Sequence, residues 1–179
     1  EEAFKYSNAI SLNIETPGAE FLAKVSDRKD YLRDIIDPIK RISQLVQEPT
    51  DYRRHVQQTT QFIVGAAGED DRKIVRYMEG LYHRLNMHRI YFSAYQGGLG
   101  SPDLPGEQGQ SPAERLTREH RLYQVDFLMR KYGFHDAEIP FDGHDRLPLD
   151  QDPKEAWARL HPEFFPVDVN RADRQTLLR

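Results

Sequence analysis

Apolar and polar residues alternate along three short stretches in the first half of the chain, and each stretch predicts a β-strand. Residues 8–15 place Ile and Leu side chains at every second position and end before Pro17-Gly18. A second strand is predicted at about 59–65, and a third at 88–95, where β-branched and aromatic residues are frequent. Thr16 is expected to cap a helix that begins at the following proline.

Helical periodicity separates these three strands. A stripe of apolar residues predicts a helix over 28–47 that is kinked or divided at Pro38. Another helix is predicted over 70–85, where Asp70 and Asp71 suit the positive end of the helix dipole. The order strand, helix, strand, helix, strand is typical of an α/β fold with a parallel sheet and right-handed crossovers.

The second half of the chain is predicted to be a loop followed by helices. Gly, Pro, Ser and Gln dominate residues 97–112, a composition typical of a loop. A long helix is expected from about 112 to 132, ending at Gly133. Asp152 is the expected cap of a short helix, and Asn170 that of a terminal one.

The composition narrows the classes of protein to consider. Of the 179 residues, 38% are hydrophobic and 11% aromatic, which favours one folded domain over a disordered chain. The net charge of -4 gives no overall basic character of the kind that marks nucleic-acid-binding domains. The sequence contains no cysteine, so this chain can form neither a disulfide nor a thiolate-ligated metal cluster.

The absence of long apolar runs and the sequence at the two chain termini lead to two further expectations. No run approaches the roughly 20 apolar residues that span a bilayer, and the start does not resemble a signal peptide. A cytoplasmic protein without membrane contact is therefore expected. The first strand begins almost at the first residue and the last helix runs to the final one, so we expect a fragment of a longer protein.

Polar residues cluster where the three predicted strands end. Asn13 and Glu15 end the first strand, a turn from Gly65 to Glu69 follows the second, and Ser93 and Tyr95 end the third. Ligands of parallel α/β sheets bind outside the carboxyl ends of the strands. Asn13 and Glu15 are two residues apart, so in a regular strand they share one face. The alternative is that each residue simply caps or ends its own element.

Two further patterns have both a functional and a structural interpretation. Gly65-x-x-Gly68 precedes a predicted helix, but it lacks the GxGxxG spacing, and an ordinary strand-to-helix turn is the favoured interpretation. Arg118, His120 and Arg121 lie on the long helix and could contact a ligand or form a solvated charged face. The histidines show no HExxH spacing, so no metal site is predicted.

Five stretches, in order, carry a resemblance to a known family: "SLNIETP", "TTQFIVGAAGEDDRKI", "HRIYFSAY", "REHRLYQVDFLMRKYGF" and "LDQDPKEAWARLHPEFFPVDVNRADRQTLLR". Together they resemble the C-terminal portion of the DNA modification/repair radical S-adenosylmethionine proteins, which end in a helix-hairpin-helix. The resemblance implies the later half of a partial (β/α) barrel of the TIM type over residues 1–96. It further implies a loop over 97–112, a helical extension over 113–165 and the start of a truncated helix-hairpin-helix over 166–179.

The same resemblance implies two cofactors for the complete protein, S-adenosylmethionine and a 4Fe-4S cluster held by a CxxxCxxC loop. This chain lacks that loop. Residues 61–69 only loosely resemble the family's GxIxGxxE motif, because Gln61 replaces the first glycine and the spacing to the glutamate is one residue longer. The residues that the resemblance assigns to cofactor binding are Asn13, Glu15, Gln61, Gly65, Ala66, Glu69, Ser93 and Tyr95.

Nucleic acid is the partner that the resemblance implies. The residues expected to contact the substrate or the nucleic acid are Arg118, His120, Arg121, Asn170 and Arg171, although nucleic-acid binding by this chain should be weak because the glycine-containing hairpin is missing. Catalytic residues are not assigned. Two other interpretations stay open: a non-catalytic module that docks on nucleic acid, and a cluster-free (β/α) barrel enzyme that depends on a metal or a phosphate.

Overall fold

A computed structural model describes residues 2–48, 56–98 and 100–178. Three strands form a small open sheet: β1 (Ala9–Ser11), β2 (Gln57–Val64) and β3 (Arg89–Ala94). They are parallel and lie in the order β1-β2-β3, so the expected α/β class with a parallel sheet is confirmed. Leu99 of the predicted loop, Arg179 of the predicted terminal helix, and Glu1 and residues 49–55 of the predicted half-barrel lie outside the described residues.

Six α-helices and two π-helical turns surround the sheet within the described ranges. The helices are α1 (Ala19–Val25), α2 (Asp37–Gln47), α3 (Asp71–Leu85), α4 (Pro112–Phe127), α5 (Pro153–Leu160) and α6 (Arg174–Leu178). The π turns are Leu32–Ile36, directly before α2, and Leu128–Tyr132, directly after α4. Short 3₁₀ turns occur at Glu2–Lys5, Pro105–Glu107, Asp136–Glu138 and Pro162–Phe164. No described helix is long and apolar enough to cross a bilayer.

Most of the predicted helices are confirmed, and local chemistry explains their boundaries. Asp70 caps α3, its side chain accepting from the Lys73 amide at 2.7 Å. The π turn at Leu32–Ile36 leads into α2, with Pro38 in the first turn of α2. Because proline has no amide hydrogen, it breaks the regular helical ladder at this junction. The predicted division at Pro38 is therefore confirmed.

Two predicted caps are wrong. Helix α1 begins at Ala19 with Gly18 at its cap position, so Thr16 instead lies buried and its hydroxyl donates to the Gly18 carbonyl at 3.1 Å. Helix α6 begins at Arg174, and Asp173 accepts from the Thr176 amide at 2.7 Å. Both errors have one cause, because several Ser, Thr, Asn or Asp residues near a helix start can each accept the free amides.

One face of the sheet packs against the helices and forms the core. Phe62 and Val64 of β2 and Ile90 and Phe92 of β3 point to this side and are at most 4% exposed. The rings of Phe62 and Phe92 stack with centroids 6.1 Å apart. Apolar side chains of α2, α3 and α4 complete the cluster, among them Ile39, Ile74, Met78, Leu122 and Val125. Burying each such side chain contributes about 1.5–3 kcal/mol.

The opposite face of the sheet is polar and more exposed. Thr59, Gln61 and Ile63 of β2 lie on it and are half-buried, next to Tyr91 and Ser93 of β3, which are exposed. This contrast follows from strand geometry, because successive side chains point to opposite faces. The fold therefore presents one uncovered surface that ends at the carboxyl edge of the sheet.

The first strand is interrupted by a bulge beyond Ser11. The chain takes four residues from Ser11 to Glu15, where β2 takes three from Thr59 to its bridge with Glu15 at Phe62. The Thr60 hydroxyl fills the gap, accepting from the Ile14 amide at 2.9 Å and donating to the Leu12 carbonyl at 2.7 Å. A buried side chain thus replaces two ladder hydrogen bonds.

We predict that Thr60→Val destabilises the protein although it barely changes side-chain volume. The buried Ile14 amide would lose its hydrogen-bond acceptor, at a cost of about 1–3 kcal/mol. Urea unfolding followed by circular dichroism measures this. The matched control is Thr59→Val, one residue earlier on the half-exposed face. Equal stabilities of the two variants would show that the hydroxyl does not hold the bulge.

Candidate functional site

The turn that joins β2 to α3 is folded around a buried carboxylate. Glu69 is 0% exposed and accepts from the amides of Gly65 and, at 3.1 Å, of Ala67. Gly65 and Gly68 have φ of 90° and 73°, a region that favours glycine because it has no Cβ. The spacing Gly65-x-x-Gly68 therefore serves a turn that wraps its own glutamate.

Arg118 connects this turn to the helices. Its guanidinium is buried at the end of the second turn of α4, where Nη2 donates to the Glu69 carbonyl at 2.8 Å and lies 3.4 Å from the Glu69 carboxylate. Its Nε donates to Asp71 Oδ1 at 2.5 Å. The other Asp71 oxygen accepts from the Leu147 amide at 2.8 Å. One arginine thus joins the β2–α3 turn, α4 and the segment around Leu147.

The structure brings together residues that sequence analysis assigned to different partners. Gly65 and Glu69 were predicted to bind a cofactor, and Arg118 to contact nucleic acid. All three lie at the carboxyl end of β2, where Arg118 Nη1 is 3.3 Å from the position a Cβ on Gly65 would occupy. Arg118 is 1% exposed, so it does not belong to the solvated helix face on which His120 lies.

Asn13 and Glu15 do not share one face of a regular strand in the folded chain. The predicted strand over 8–15 is regular only over Ala9–Ser11, and Glu15 has a φ of 66° after the bulge. The alternation of side chains ends with the regular ladder. Asn13 is exposed, while Glu15 is half-buried with Oε1 3.3 Å from Lys29 Nζ.

The other predicted cofactor residues lie along the uncovered face and its carboxyl edge. Gln61 and Ser93 lie on that face, two residues apart along the matched register of β2 and β3. The Ala66 carbonyl accepts from the Gly106 amide at 3.0 Å, which fixes the following loop against the end of β2. The Tyr95 hydroxyl donates to Glu107 at 2.5 Å in that same loop.

The remaining predicted nucleic-acid residues are not brought together with this edge. His120 is exposed, and Arg121 is held by Gln124 at 2.8 Å and by the Leu149 carbonyl at 2.9 Å. Asn170 and Arg171 lie exposed in a turn before α6. They form a separate surface at the end of the described chain.

Several residues at the carboxyl edge were missed by sequence analysis. Arg115 lies one helical turn before Arg118 on α4, a spacing that could have indicated a shared face. Asp71 was predicted only as a dipole partner of its helix. Arg146 comes from a turn-rich segment, and only the tertiary fold places it here.

Another cluster of polar side chains lies toward the amino ends of the strands. Glu79 Oε1 is 3.3 Å from His83 Nε2 on α3 and 3.0 Å from His135 Nδ1. The ligand atoms of these three residues lie within 4.8 Å of one another, close enough to hold a metal ion together. The spacing of the histidines in sequence does not indicate this cluster, because Glu79 and His135 come from different segments. Among the described residues this is the group best suited to hold a metal.

The carboxylate of Glu107 accepts hydrogen bonds from Tyr95, Gly98 and Gly100, and we predict that acid loosens these contacts. Hydrogen bonds from Tyr95 and from the Gly98 amide lower the pKa of Glu107 below its ordinary 4.5. The hydrogen bond between Tyr95 and Glu107 also raises the pKa of Tyr95. Because the pKa of Glu107 is lower in the folded protein than in the unfolded chain, its ionised carboxylate stabilises the folded loop at pH values above the ordinary pKa. This contribution is lost as the pH falls through the pKa of the folded protein. Hydrogen exchange should show falling protection of the Gly98 amide over that range.

The control for this prediction is Glu107→Gln, which keeps the size of the side chain and removes its charge. In that variant the Gly98 protection factor should be lower at neutral pH and should not change as the pH is lowered. An unchanged protection factor in both proteins down to acid pH would show that the carboxylate does not hold the loop.

No family model, curated protein or solved structure matches the chain. The residues of the carboxyl edge and the uncovered sheet face are therefore the features that bear on function.

Proposed function

We propose that this chain is the later half of a partial (β/α) barrel in a radical S-adenosylmethionine enzyme that modifies or repairs nucleic acid. The observation that best supports this is the asymmetry of the sheet. Helices cover one face of three parallel strands, while the other face carries half-buried and exposed polar side chains. In a barrel, that second face lines the interior, where ligands bind at the carboxyl ends of the strands.

The residues of this chain suit S-adenosylmethionine better than they suit a 4Fe-4S cluster. A 4Fe-4S cluster requires thiolate ligands, and the sequence has no cysteine, so this chain does not hold the cluster. In the proposed enzyme the cluster ligands come from a different part of a longer protein. S-adenosylmethionine fits better, because the amide of Gln61 and the hydroxyl of Ser93 can bond to a ribose hydroxyl or a purine edge.

Nucleic acid as the partner is supported by the end of the described chain. Arg171 and Arg174 are exposed there, beside Val169 and Leu177, which are 71% and 51% exposed. Exposed basic residues suit phosphate contacts, which position a protein on nucleic acid without selecting a sequence. The apolar side chains suit burial against the partner helix of a helix-hairpin-helix.

The hydrogen bonds and ion pairs of Glu15 and Glu69 favour a second candidate, a non-catalytic module that docks on nucleic acid. Glu69 is committed to its own turn and to Arg118, and Glu15 is paired with Lys29. Both carboxylates, which the resemblance assigns to the cofactor, therefore already have protein partners. A docking module would use the same fold without needing them.

We predict weak binding of S-adenosylmethionine by this chain on the uncovered sheet face. Nuclear magnetic resonance titration should shift the amide signals of Gln61 and Ser93, and Gln61→Ala should weaken binding about threefold to tenfold, the effect of one hydrogen bond. The matched control is Gln57→Ala, an exposed residue on the same face at the amino end of β2. A full effect of the control would contradict the proposed site.

An experiment on the complete protein decides between the enzyme and the docking module. If the segment that precedes this chain carries CxxxCxxC, anaerobic reconstitution should yield a 4Fe-4S cluster and release 5′-deoxyadenosine on reduction. Failure of both, together with salt-dependent binding of duplex DNA, would replace the enzyme by the docking module.

A further inference from the structure

A polar cavity of about 350 Å³ opens beside the carboxyl end of β2. Its walls are the β2–α3 turn, the Pro105–Glu107 turn that packs on it, the start of α4 and the side chain of Arg146. Four glycines and three arginines contribute to the lining: Gly65, Gly68, Gly106, Gly109, Arg115, Arg118 and Arg146. Gly106 lets the two turns pack closely, since a Cβ there would lie 2.7 Å from the Gly65 carbonyl oxygen.

The three arginines of this cavity differ in how their charges are balanced. Arg118 is neutralised by Glu69 and Asp71. Arg115 donates to two carbonyl oxygens, of Gln110 at 3.1 Å and of Tyr95 at 3.2 Å, and forms no ion pair within the described ranges. Its charge helps to lower the pKa of Glu107, but the two groups form no ion pair.

Arg146 has the least satisfied side chain of the three. Its Nη1 is buried and finds no hydrogen-bond partner among residues 2–48, 56–98 and 100–178. Burial and the neighbouring Arg118 lower the pKa of Arg146, while Asp71, Glu69 and Asp70 act in the opposite direction. A buried guanidinium nitrogen without a partner is costly, and an anionic ligand would remove that cost.

Two glycines of the cavity lining have backbone amides without a partner among the described residues. Gly68 and Gly109 are exposed and have φ of 73° and 100°. Neither amide donates to another residue in the described part of the chain. Amides presented by left-handed glycines form anion-binding concavities in many phosphate sites. The carboxylates at the rim accept hydrogen bonds from the chain itself, Glu114 from the Ser111 amide at 2.7 Å and Glu107 from the Gly98 amide.

We propose that this cavity binds a phosphoryl group, supplied by the backbone of a nucleic acid or by a free nucleotide. The lining combines Arg115 and Arg146, which come from different segments, with the amides of Gly68 and Gly109, which are unbonded within the described chain. Such a set of separate donors suits the tetrahedral oxygens of a phosphate better than a planar carboxylate. The cavity is also several times larger than a single carboxylate needs. The nucleic-acid source depends on the proposed function, whereas phosphoryl binding itself does not.

Isothermal titration of this chain with inorganic phosphate, deoxyadenosine monophosphate and a short single-stranded DNA tests the proposal. We expect saturable binding of phosphate, and Arg146→Gln and Arg115→Gln should each weaken it about tenfold, the effect of one charged hydrogen-bonding group. The matched control is Arg76→Gln, which removes the same charge from an exposed position on α3. Gln108→Glu adds a negative charge at an exposed position of the lining and should also weaken binding without affecting the fold.

The ligands distinguish the two sources. Tighter binding of the oligonucleotide than of the monophosphate, lost in the cavity variants, assigns the site to a nucleic-acid backbone, and the reverse order assigns it to a free nucleotide. The absence of saturable phosphate binding would overturn the proposal. An equal loss in Arg76→Gln would also overturn it, since it would show binding by overall charge alone. S-adenosylmethionine takes no part in these titrations, so their failure leaves the proposed function standing.

Discussion

The carboxyl edge of the sheet depends on a single buried ion network. Arg118 is shared between Glu69 and Asp71, and all three side chains are at most 2% exposed. Removing one partner from such a network strands an uncompensated charge in the interior, at a cost of about 3–5 kcal/mol. The network therefore constrains everything attached to it, including the β2–α3 turn, the direction of α4 and the segment around Leu147.

This constraint explains why the candidate site lies where it does. The Glu69 carboxylate folds the turn inward, so the outer edge of that turn exposes the glycine backbone. Helix α4 is fixed with Arg115 facing the same edge, and the segment held through Leu147 brings the adjacent Arg146 to it. Structural charges are paired inside the network, while Arg115 and Arg146 remain outside any ion pair in the described chain. The fold thus separates charges that hold the structure from charges that can bind a ligand.

Much of the architecture could be predicted from sequence, because it depends on local periodicity. The alternation in β2 and the apolar stripe of α3 fix both elements and their buried faces, whatever they pack against. The bulge beyond Ser11 was not predictable in this way. It depends on the Thr60 hydroxyl of a neighbouring strand 46 residues away from Ile14.

The candidate site was predicted less completely for the same physical reason. The glycine turn and Glu69 were located, since they are contiguous in sequence. The burial of Arg118 was missed because a charged residue on a helix is normally solvated, and its partners lie 47 and 49 residues away. Arg146 carries no local pattern at all, and only its tertiary position makes it notable.

Hydrogen exchange on Asp71→Asn tests most directly whether one network organises this edge. The substitution removes a charge that touches Arg118 and the Leu147 amide, but it touches neither Gly65 nor Ala67. If the network acts as a unit, protection should fall at Leu147 and also at the amides of Gly65 and Ala67, while His88, whose amide donates to the Gln58 carbonyl at 2.8 Å at the other end of the sheet, stays protected. Loss of protection at Leu147 alone would show that Glu69 holds its turn independently, and would contradict the account.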